Sequence, residues 1–216
     1  TYAGDVRLAG ALDAKVLRSP YAHARIVNLD TSAAESLPGV IAVVTGKDVV
    51  QPTGNHWVLA RDRVIWVGQA VAAVAAVDEE IAQHAITLIK VEYEELPAVL
   101  DIEEAAQPDS PAIHPDPNAE PGNVRTRAVF EEGDVDAAFA EPGVVIHEAV
   151  YRTPRQAPVS TETHAAVAQV EGGKVTIHAS IKAPFRARTV IANALGFPVS
   201  RVRLIAPLIG GDFGGK

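Results

Sequence analysis

The chain has 216 residues, of which 48% are hydrophobic and 21% charged, with a formal net charge of −8 and neither cysteine nor methionine. This length indicates one large domain or two small ones, which can bury a core without disulfides. The lack of cysteine excludes disulfides, thiolate metal sites, cysteine-ligated iron–sulfur clusters and a cysteine nucleophile within these residues. The acidic balance argues against a general nucleic-acid binder, and no apolar run approaches the ~18 residues of a membrane span.

The first hundred residues alternate between strand-like and helix-like segments. Runs rich in apolar and β-branched residues predict five strands, at 8–17, 24–29, 40–45, 68–77 and 91–93. A short helical run over 33–37 follows the capping residues 30–32 and stops at Pro38 and Gly39. A longer helix is predicted after Asp78, because Ile81, Ala85, Leu88 and Ile89 fall on one helical face. These elements predict an α+β unit over residues 1–105.

The composition changes between residues 106 and 122, where five prolines lie among Asp, Asn and Ser residues. Proline removes backbone donors and restricts φ, so this stretch is predicted to be a linker or an extended surface crossing. No internal repeat is apparent. We therefore expect a second domain over residues 123–216.

The second segment has its own series of elements. A short helix over 135–140 is capped by Asp134, and strands are predicted at 144–151, 165–170, 175–179 and 202–205. The turn at 171–174 joins two of these strands into a hairpin. Pro184 opens a helix that Gly196 ends, and its predicted buried face is formed by Ala187, Val190, Ile191, Ala194 and Leu195.

The most informative local feature is the run 210–216, with the sequence GGDFGGK. Four glycines within six residues allow the backbone to approach a ligand and direct N–H groups at an oxyanion, a phosphate or a metal-oxo group. The spacing is that of neither a P-loop nor a dinucleotide fingerprint. Asp212 would repel an anion. Local chemistry alone favours a simple turn.

The polar residues upstream leave two interpretations open. None of the seven histidines forms an HxH or HExxH spacing, so no metal site is predicted within this chain. Glu162 and His164 are two residues apart and would share one face of an extended segment. They could form a proton relay or a structural pair that holds a loop, and we favour the structural pair.

The order of the short motifs is more specific than any single motif. The succession is LRSPYAHARI (17–26), DTSAA (30–34), VVTGKD (43–48), VGQAVAAV (67–74), VEYEELP (91–97), GDVDAAF (133–139), ETHAA (162–166) and GGDFGGK (210–216). This succession resembles the molybdenum-binding large subunit of the xanthine dehydrogenase, aldehyde oxidase and carbon monoxide dehydrogenase family. The resemblance extends over about 200 residues.

The resemblance implies an α/β hammerhead domain followed by the start of a molybdopterin-binding domain, as a fragment or as one part of a split subunit. The lack of methionine likewise suggests a processed or incomplete chain. The implied activity is hydroxylation of an aldehyde or N-heterocycle with water-derived oxygen. The implied cofactor is molybdopterin, in the cytosine dinucleotide form, with molybdenum. Iron–sulfur clusters and FAD would lie on partner subunits, and another chain would carry the rest of the cofactor domain.

The resemblance also implies roles for individual residues. Phe213 matches a loop phenylalanine beside the substrate and metal, and Gly211 and Gly214 would offer N–H donors to an oxygen ligand. The family's general base, a glutamate, has no counterpart in this chain, so no catalytic residue and no metal ligand are expected here. Lys182 stands where the family usually has a glutamine beside the apical oxo group. Asp212 stands where glycine is commoner.

Two alternatives remain. A non-catalytic scaffold or assembly subunit would explain the missing base and the altered run at 181–183. A stand-alone α/β binding module is a weaker alternative. We expect a cytoplasmic protein with a small-molecule substrate, no nucleic-acid partner and no membrane span.

Overall fold

The computed structural model describes residues 1–49, 58–113, 122–124 and 126–216. The strands are β1 (Asp13–Arg18), β2 (Ala24–Asp30), β3 (Val40–Thr45), β4 (Arg63–Val64), β5 (Ala70–Ala76), β6 (Lys90–Glu95), β7 (Ala166–Glu171), β8 (Lys174–Ala179) and β9 (Val202–Ile205). The helices are α1 (Ser32–Glu35), α2 (Glu79–Leu88), α3 (Ile102–Ala105), α4 (Val135–Phe139) and α5 (Pro184–Leu195). The predicted α+β class is therefore confirmed.

The first sheet has β5 at its centre, paired antiparallel with β1 and β3. Helix α2 packs on this sheet and buries a small-residue core of Ala34, Ala72, Val74, Ala85 and Ile89. Strand β5 is the most buried strand because it lies between β1 and β3 and under α2, and its small alanine side chains fit this crowded position.

The second sheet has the order β4-β2-β6, and both pairings are antiparallel. Its core consists of Ala24, Ala60, Val64 and Val71. The rings of Tyr21 and Tyr93 pack against it with centroids 5.0 Å apart, in a tilted arrangement typical of aromatic pairs.

The third sheet combines a hairpin with a parallel crossover. Gly172 and Gly173 both have positive φ and turn β7 into β8, as predicted. Helix α5 then carries the chain to β9, which lies parallel to β8. Gly196 ends α5 in the left-handed conformation, at φ 66°. Val175, Ala192 and Val202 form the buried part of this unit.

Several expectations about individual segments were wrong. The first strand begins at Asp13, because residues 8–12 form a turn and its exit. Residues 144–151 pair with no strand among the described residues, so they lack the ladder that defines a strand. On α5 only Ala192 is fully buried, and Val190 and Leu195 of the predicted face are exposed.

The proline-rich stretch is only partly described, since residues 114–121 and 125 fall outside the described ranges. His56, His114 and three of the five prolines therefore lie outside them. Asn123 folds the described part together: its side chain accepts from Ile113 N–H at 2.9 Å and donates to the carbonyl of Pro111 at 3.1 Å. The domain boundaries at 105 and 123 stay predictions.

The N-terminal residues contact the third sheet. Tyr2 forms an isolated parallel bridge with Leu208, and Leu208 N–H donates to the carbonyl of Thr1 at 3.3 Å. The start of the chain therefore lies beside the base of the glycine loop. Among the described residues, no helix combines the length and the apolar character that a bilayer crossing requires.

Candidate functional site

The glycine loop, residues 210–216, follows β9 and is held by residues from the segments before β7 and after β8. Glu162 forms the principal contact, because it binds both ends of the loop. Its Oε2 accepts the N–H of Gly210 at 2.7 Å and the ammonium of Lys216 at 2.5 Å. The side chain of Lys216 is 0% exposed and that of Glu162 10%. A buried lysine with this partner is a structural anchor for the loop.

The same contacts act on the ionisation of Glu162. Lys216, then the nearby hydroxyl of Ser180, then the N–H of Gly210 lower the pKa of Glu162 from 4.5 to about 2. Ser180 Oγ and Glu162 Oε1 are both buried without a well-aligned hydrogen-bond partner among the described residues, so Ser180 acts by proximity. Glu162 is therefore ionised at neutral pH, which suits an anchor and not a proton relay.

His164 also binds the loop. Its Nε2 lies 2.7 Å from the carbonyl oxygen of Gly215, so this ring nitrogen is the donor. Glu162 and His164 thus both hold the loop, as the structural-pair interpretation predicts. His178 lies in β8 and is paired in register with Val167 of β7.

Asp212 organises the loop from inside. Its Oδ1 accepts the N–H groups of Gly214 at 3.0 Å and of Lys216 at 3.1 Å. These two N–H donors and the ammonium of Lys182, with the N–H of Lys216 first, lower the pKa of Asp212. Gly214 therefore donates to a neighbouring side chain in this structure. The expectation that Gly211 and Gly214 offer N–H donors to an oxygen ligand stays a prediction, and the Gly214 N–H already has Asp212 as one acceptor.

Lys182 lies directly over this carboxylate. Its Nζ is 3.2 Å from Asp212 Oδ2, while the Lys182 side chain is 64% exposed and that of Asp212 12%. The two residues that depart from the family pattern are therefore in contact with each other. Lys182 neither points freely into solvent nor has all its donors available for a ligand.

The glycines at the start of the loop are required by close packing. A Cβ at Gly210 would lie 2.5 Å from the Cβ of Glu162, and one at Gly211 would lie 3.0 Å from the Cβ of Ser160. Gly211 also has φ +104°, which L side chains rarely adopt. Only glycine allows the backbone to lie this close to the 160–162 segment.

The outer side of the loop is open. The ring of Phe213 is 69% exposed, and a Cβ at Gly214 would have no neighbour within 4 Å. A bare backbone, an exposed aromatic ring and a lysine ammonium are thus all accessible at this end of the chain. Among the described residues, no group of three or more His, Cys, Asp or Glu could hold a metal ion directly.

These features fit a molybdopterin group with oxygen ligands on its metal. An oxygen ligand needs donors and no net negative charge nearby, and Lys182 supplies donors while it neutralises Asp212. The open surface at Gly214 leaves room for a large cofactor to approach the backbone. Lys182 is the better hydrogen-bond donor for such a group. The N–H of Gly214 is a poorer one because it already donates to Asp212.

Two contributors to the site were not identified from the sequence. Lys216 ends the glycine run, but nothing in the local pattern indicates that its partner is a glutamate 54 residues away. Tyr2 was also missed. Its ring lies beside Gly210, where an added Cβ would be 3.3 Å from a ring carbon. Both contacts join segments distant in the chain.

Comparisons with known proteins find two domain matches along the chain. Residues 1–97 match the family model of the aldehyde oxidase and xanthine dehydrogenase a/b hammerhead domain. Residues 114–216 match that of the molybdopterin cofactor-binding domain. The loop and Lys182 lie within the second match.

The relatives cover the whole chain, and a solved structure covers nearly all of it. A probable xanthine dehydrogenase component of Bacillus subtilis is 41% identical over 100% of this chain and 29% of its own length. The carbon monoxide dehydrogenase large chain of Hydrogenophaga pseudoflava is 35% identical over 100% of this chain and 29% of its own. The aldehyde oxidoreductase structure from Desulfovibrio desulfuricans superposes with TM-score 0.84 at 30% identity, over 96% of this chain and 24% of that one.

The chain therefore spans about three tenths of the length of these curated relatives. Its two domain matches follow in the order that the motifs predicted. With the relatives and the superposed structure, they show that this chain belongs to the xanthine dehydrogenase, aldehyde oxidase and carbon monoxide dehydrogenase family of molybdopterin-binding oxidoreductases.

Proposed function

We propose that this chain supplies the hammerhead domain and the oxo-side glycine loop to a molybdenum hydroxylase. The substrate class is an aldehyde or an N-heterocycle, hydroxylated with oxygen from water. The observation that carries the proposal is the loop itself, which Glu162, Lys216 and Asp212 hold in shape while Phe213 remains exposed.

In this function each residue has a limited task. Glu162 and Lys216 fix the loop ends, and Asp212 fixes its interior. Lys182 and the rim formed by Gly211, Phe213 and Gly214 contact the cofactor, with Lys182 as the donor. When bound, the molybdenum cofactor supplies the oxidation chemistry. The general base comes from polypeptide outside these residues, because nothing in this chain matches it.

The cofactor and partners follow from the same proposal. Molybdopterin is taken in its cytosine dinucleotide form, and iron–sulfur clusters and FAD reside on partner subunits. The lack of cysteine is consistent with this division, because these residues offer no thiolate ligand to a cluster. Two relatives are named as one component of a larger enzyme, which supports a multi-subunit assembly. Cytoplasmic assembly, with domains at 1–105 and 123–216 joined by a 106–122 linker, completes the proposal.

The second segment also requires a polypeptide partner. Many large apolar side chains between residues 126 and 160 are exposed, including Phe130, Val145, Val150, Tyr151 and Val159. Exposed apolar area of this kind is typical of a surface that another polypeptide covers. The remaining part of the molybdopterin-binding domain is the partner that we propose, on this chain or another.

A scaffold or assembly role is the second candidate function. One observation favours it: Lys182 stands in the glutamine position and contacts Asp212, which makes the loop differ from the usual pattern. Under this alternative the loop keeps its shape and binds no metal.

The deciding experiment measures molybdenum by elemental mass spectrometry on the native complex purified through this chain. We expect about one molybdenum atom per chain, the stoichiometry that family membership implies. Absence of metal while the partners remain bound would contradict the hydroxylase proposal and support the scaffold.

A further inference from the structure

The glycine loop contains an interaction that the resemblance does not predict. Asp212 lies inside the loop, and both of its carboxylate oxygens are engaged. Oδ1 accepts two backbone N–H groups of the loop, and Oδ2 contacts the ammonium of Lys182. Lys182 comes from the segment between β8 and α5, outside the loop.

The Oδ1 contacts make Asp212 a substitute for an external ligand. Loop N–H groups with no acceptor would have to find water or a bound oxygen atom. Asp212 satisfies those of Gly214 and Lys216 with a charged acceptor, which forms stronger hydrogen bonds than a neutral one. The shape of the loop is therefore set before any ligand binds.

This arrangement has an electrostatic cost that Lys182 offsets. A carboxylate with its side chain only 12% exposed would place a negative charge beside an electron-rich ligand. The Lys182 ammonium, 3.2 Å from Asp212 Oδ2, cancels this negative charge for any group that lies farther away. At the other end Lys216 balances Glu162 in the same way. The two charged groups of the loop and the two residues that bind them therefore sum to zero as two pairs.

We propose that Lys182 and Asp212 act as one positioning unit, in which Asp212 sets the loop backbone and Lys182 keeps the loop neutral toward the molybdenum centre. The part that concerns the metal rests on the proposed function. The part that concerns the loop backbone does not. Lys182 is needed because Asp212 carries a negative charge, so the electrostatic effects of the two residues are coupled.

The test separates the two tasks with variants of the native complex. Asp212→Asn keeps the Oδ1 acceptor and removes the charge, whereas Asp212→Gly removes both. Lys182→Gln removes only the opposite charge. The double variant Lys182→Gln with Asp212→Asn makes the pair neutral. Lys174→Gln removes an exposed lysine at the far end of β8 and is the control for general loss of charge.

The first readout needs no metal. Amide hydrogen exchange of Gly214 and Lys216 should be about tenfold faster in Asp212→Gly, because a hydrogen bond to a charged acceptor is lost. It should stay within about twofold of wild type in Asp212→Asn and Lys182→Gln. The melting temperatures of Lys182→Gln, Asp212→Asn and the double variant should show coupling. The decrease in the double variant should be smaller than the sum of the decreases in the two single variants. The proposal that the two residues act as one unit would be overturned by unchanged exchange in Asp212→Gly or by additive shifts in melting temperature.

The second readout is the midpoint potential of the molybdenum, followed by electron paramagnetic resonance. Lys182→Gln leaves an uncompensated negative charge and should lower the potential, while Asp212→Asn should raise it and the double variant should restore it. A structural role alone would not move the potential in opposite directions. Shifts of the same sign would overturn the electrostatic part. A metal-free wild-type complex would refute the proposed function, and the exchange and melting data would still decide whether the pair exists.

Discussion

Glu162 has a carboxylate whose ionisation is linked to the shape of the loop. Its pKa is lowered to about 2, chiefly by the ammonium of Lys216. A lowered pKa in the folded state adds stability above the unfolded value of 4.5, and this stability is lost as the pH falls from about 4.5 toward 2. The free energy of unfolding of wild type should therefore exceed that of Glu162→Gln at pH 7. The two should converge near pH 2, as measured by chemical denaturation. A difference that does not change with pH would contradict this linkage.

Two glycines of the loop should respond differently to the same substitution. In Gly210→Ala the new Cβ would lie 2.5 Å from Glu162 Cβ, so the loop must shift, at a cost of about 1–3 kcal/mol for overpacking. In Gly215→Ala the nearest atom would be Pro158 Cγ at 3.5 Å, which is ordinary contact. Thermal denaturation of both variants checks this, with Gly215→Ala as the matched control. Equal destabilisation would show that the close approach to Glu162 does not decide the effect.

At the scale of elements, two helices share one capping device but differ in packing. Asp78 Oδ1 accepts the N–H of Ile81 at 2.8 Å in α2, and Asp134 Oδ1 accepts the N–H of Ala137 at 2.9 Å in α4. Helix α2 contributes buried residues to the core, whereas α4 contributes none. Asp78→Ala should cost about 1 kcal/mol of unfolding free energy. Asp134→Ala should cost clearly less, because fraying of α4 exposes no core. Denaturant titration of both variants tests the contrast.

For the whole molecule, packing is uneven along the chain. The first hundred residues bury two clusters of apolar side chains, while the segment from 126 to 159 is exposed throughout. We expect the isolated chain to aggregate, or to need its partner polypeptide for solubility, because exposed apolar area and an unpaired sheet edge promote association. Sedimentation and calorimetry test this. A monodisperse monomer that unfolds in one cooperative transition would contradict it.

The local patterns predicted the elements with regular spacing or distinct caps. Strands β2 and β3 match their predicted ranges within one residue, and the caps at Asp78 and Asp134 form as expected. The segment 144–151 was predicted as a strand because its apolar residues fit one. Composition cannot supply the neighbouring strand that a ladder needs, and no described residue provides it.

For the site, the sequence by itself determined the glycine loop, its order among the family motifs and the two unusual residues Lys182 and Asp212. Only the tertiary structure decided which groups meet. Glu162 reaches Lys216 across 54 residues, and Lys182 reaches Asp212 from a different element. Periodicity and spacing report on neighbours within a helix or strand. Charge pairs between elements depend on how β7, β8 and β9 pack together, because this packing brings residues that are distant in the chain within hydrogen-bond distance.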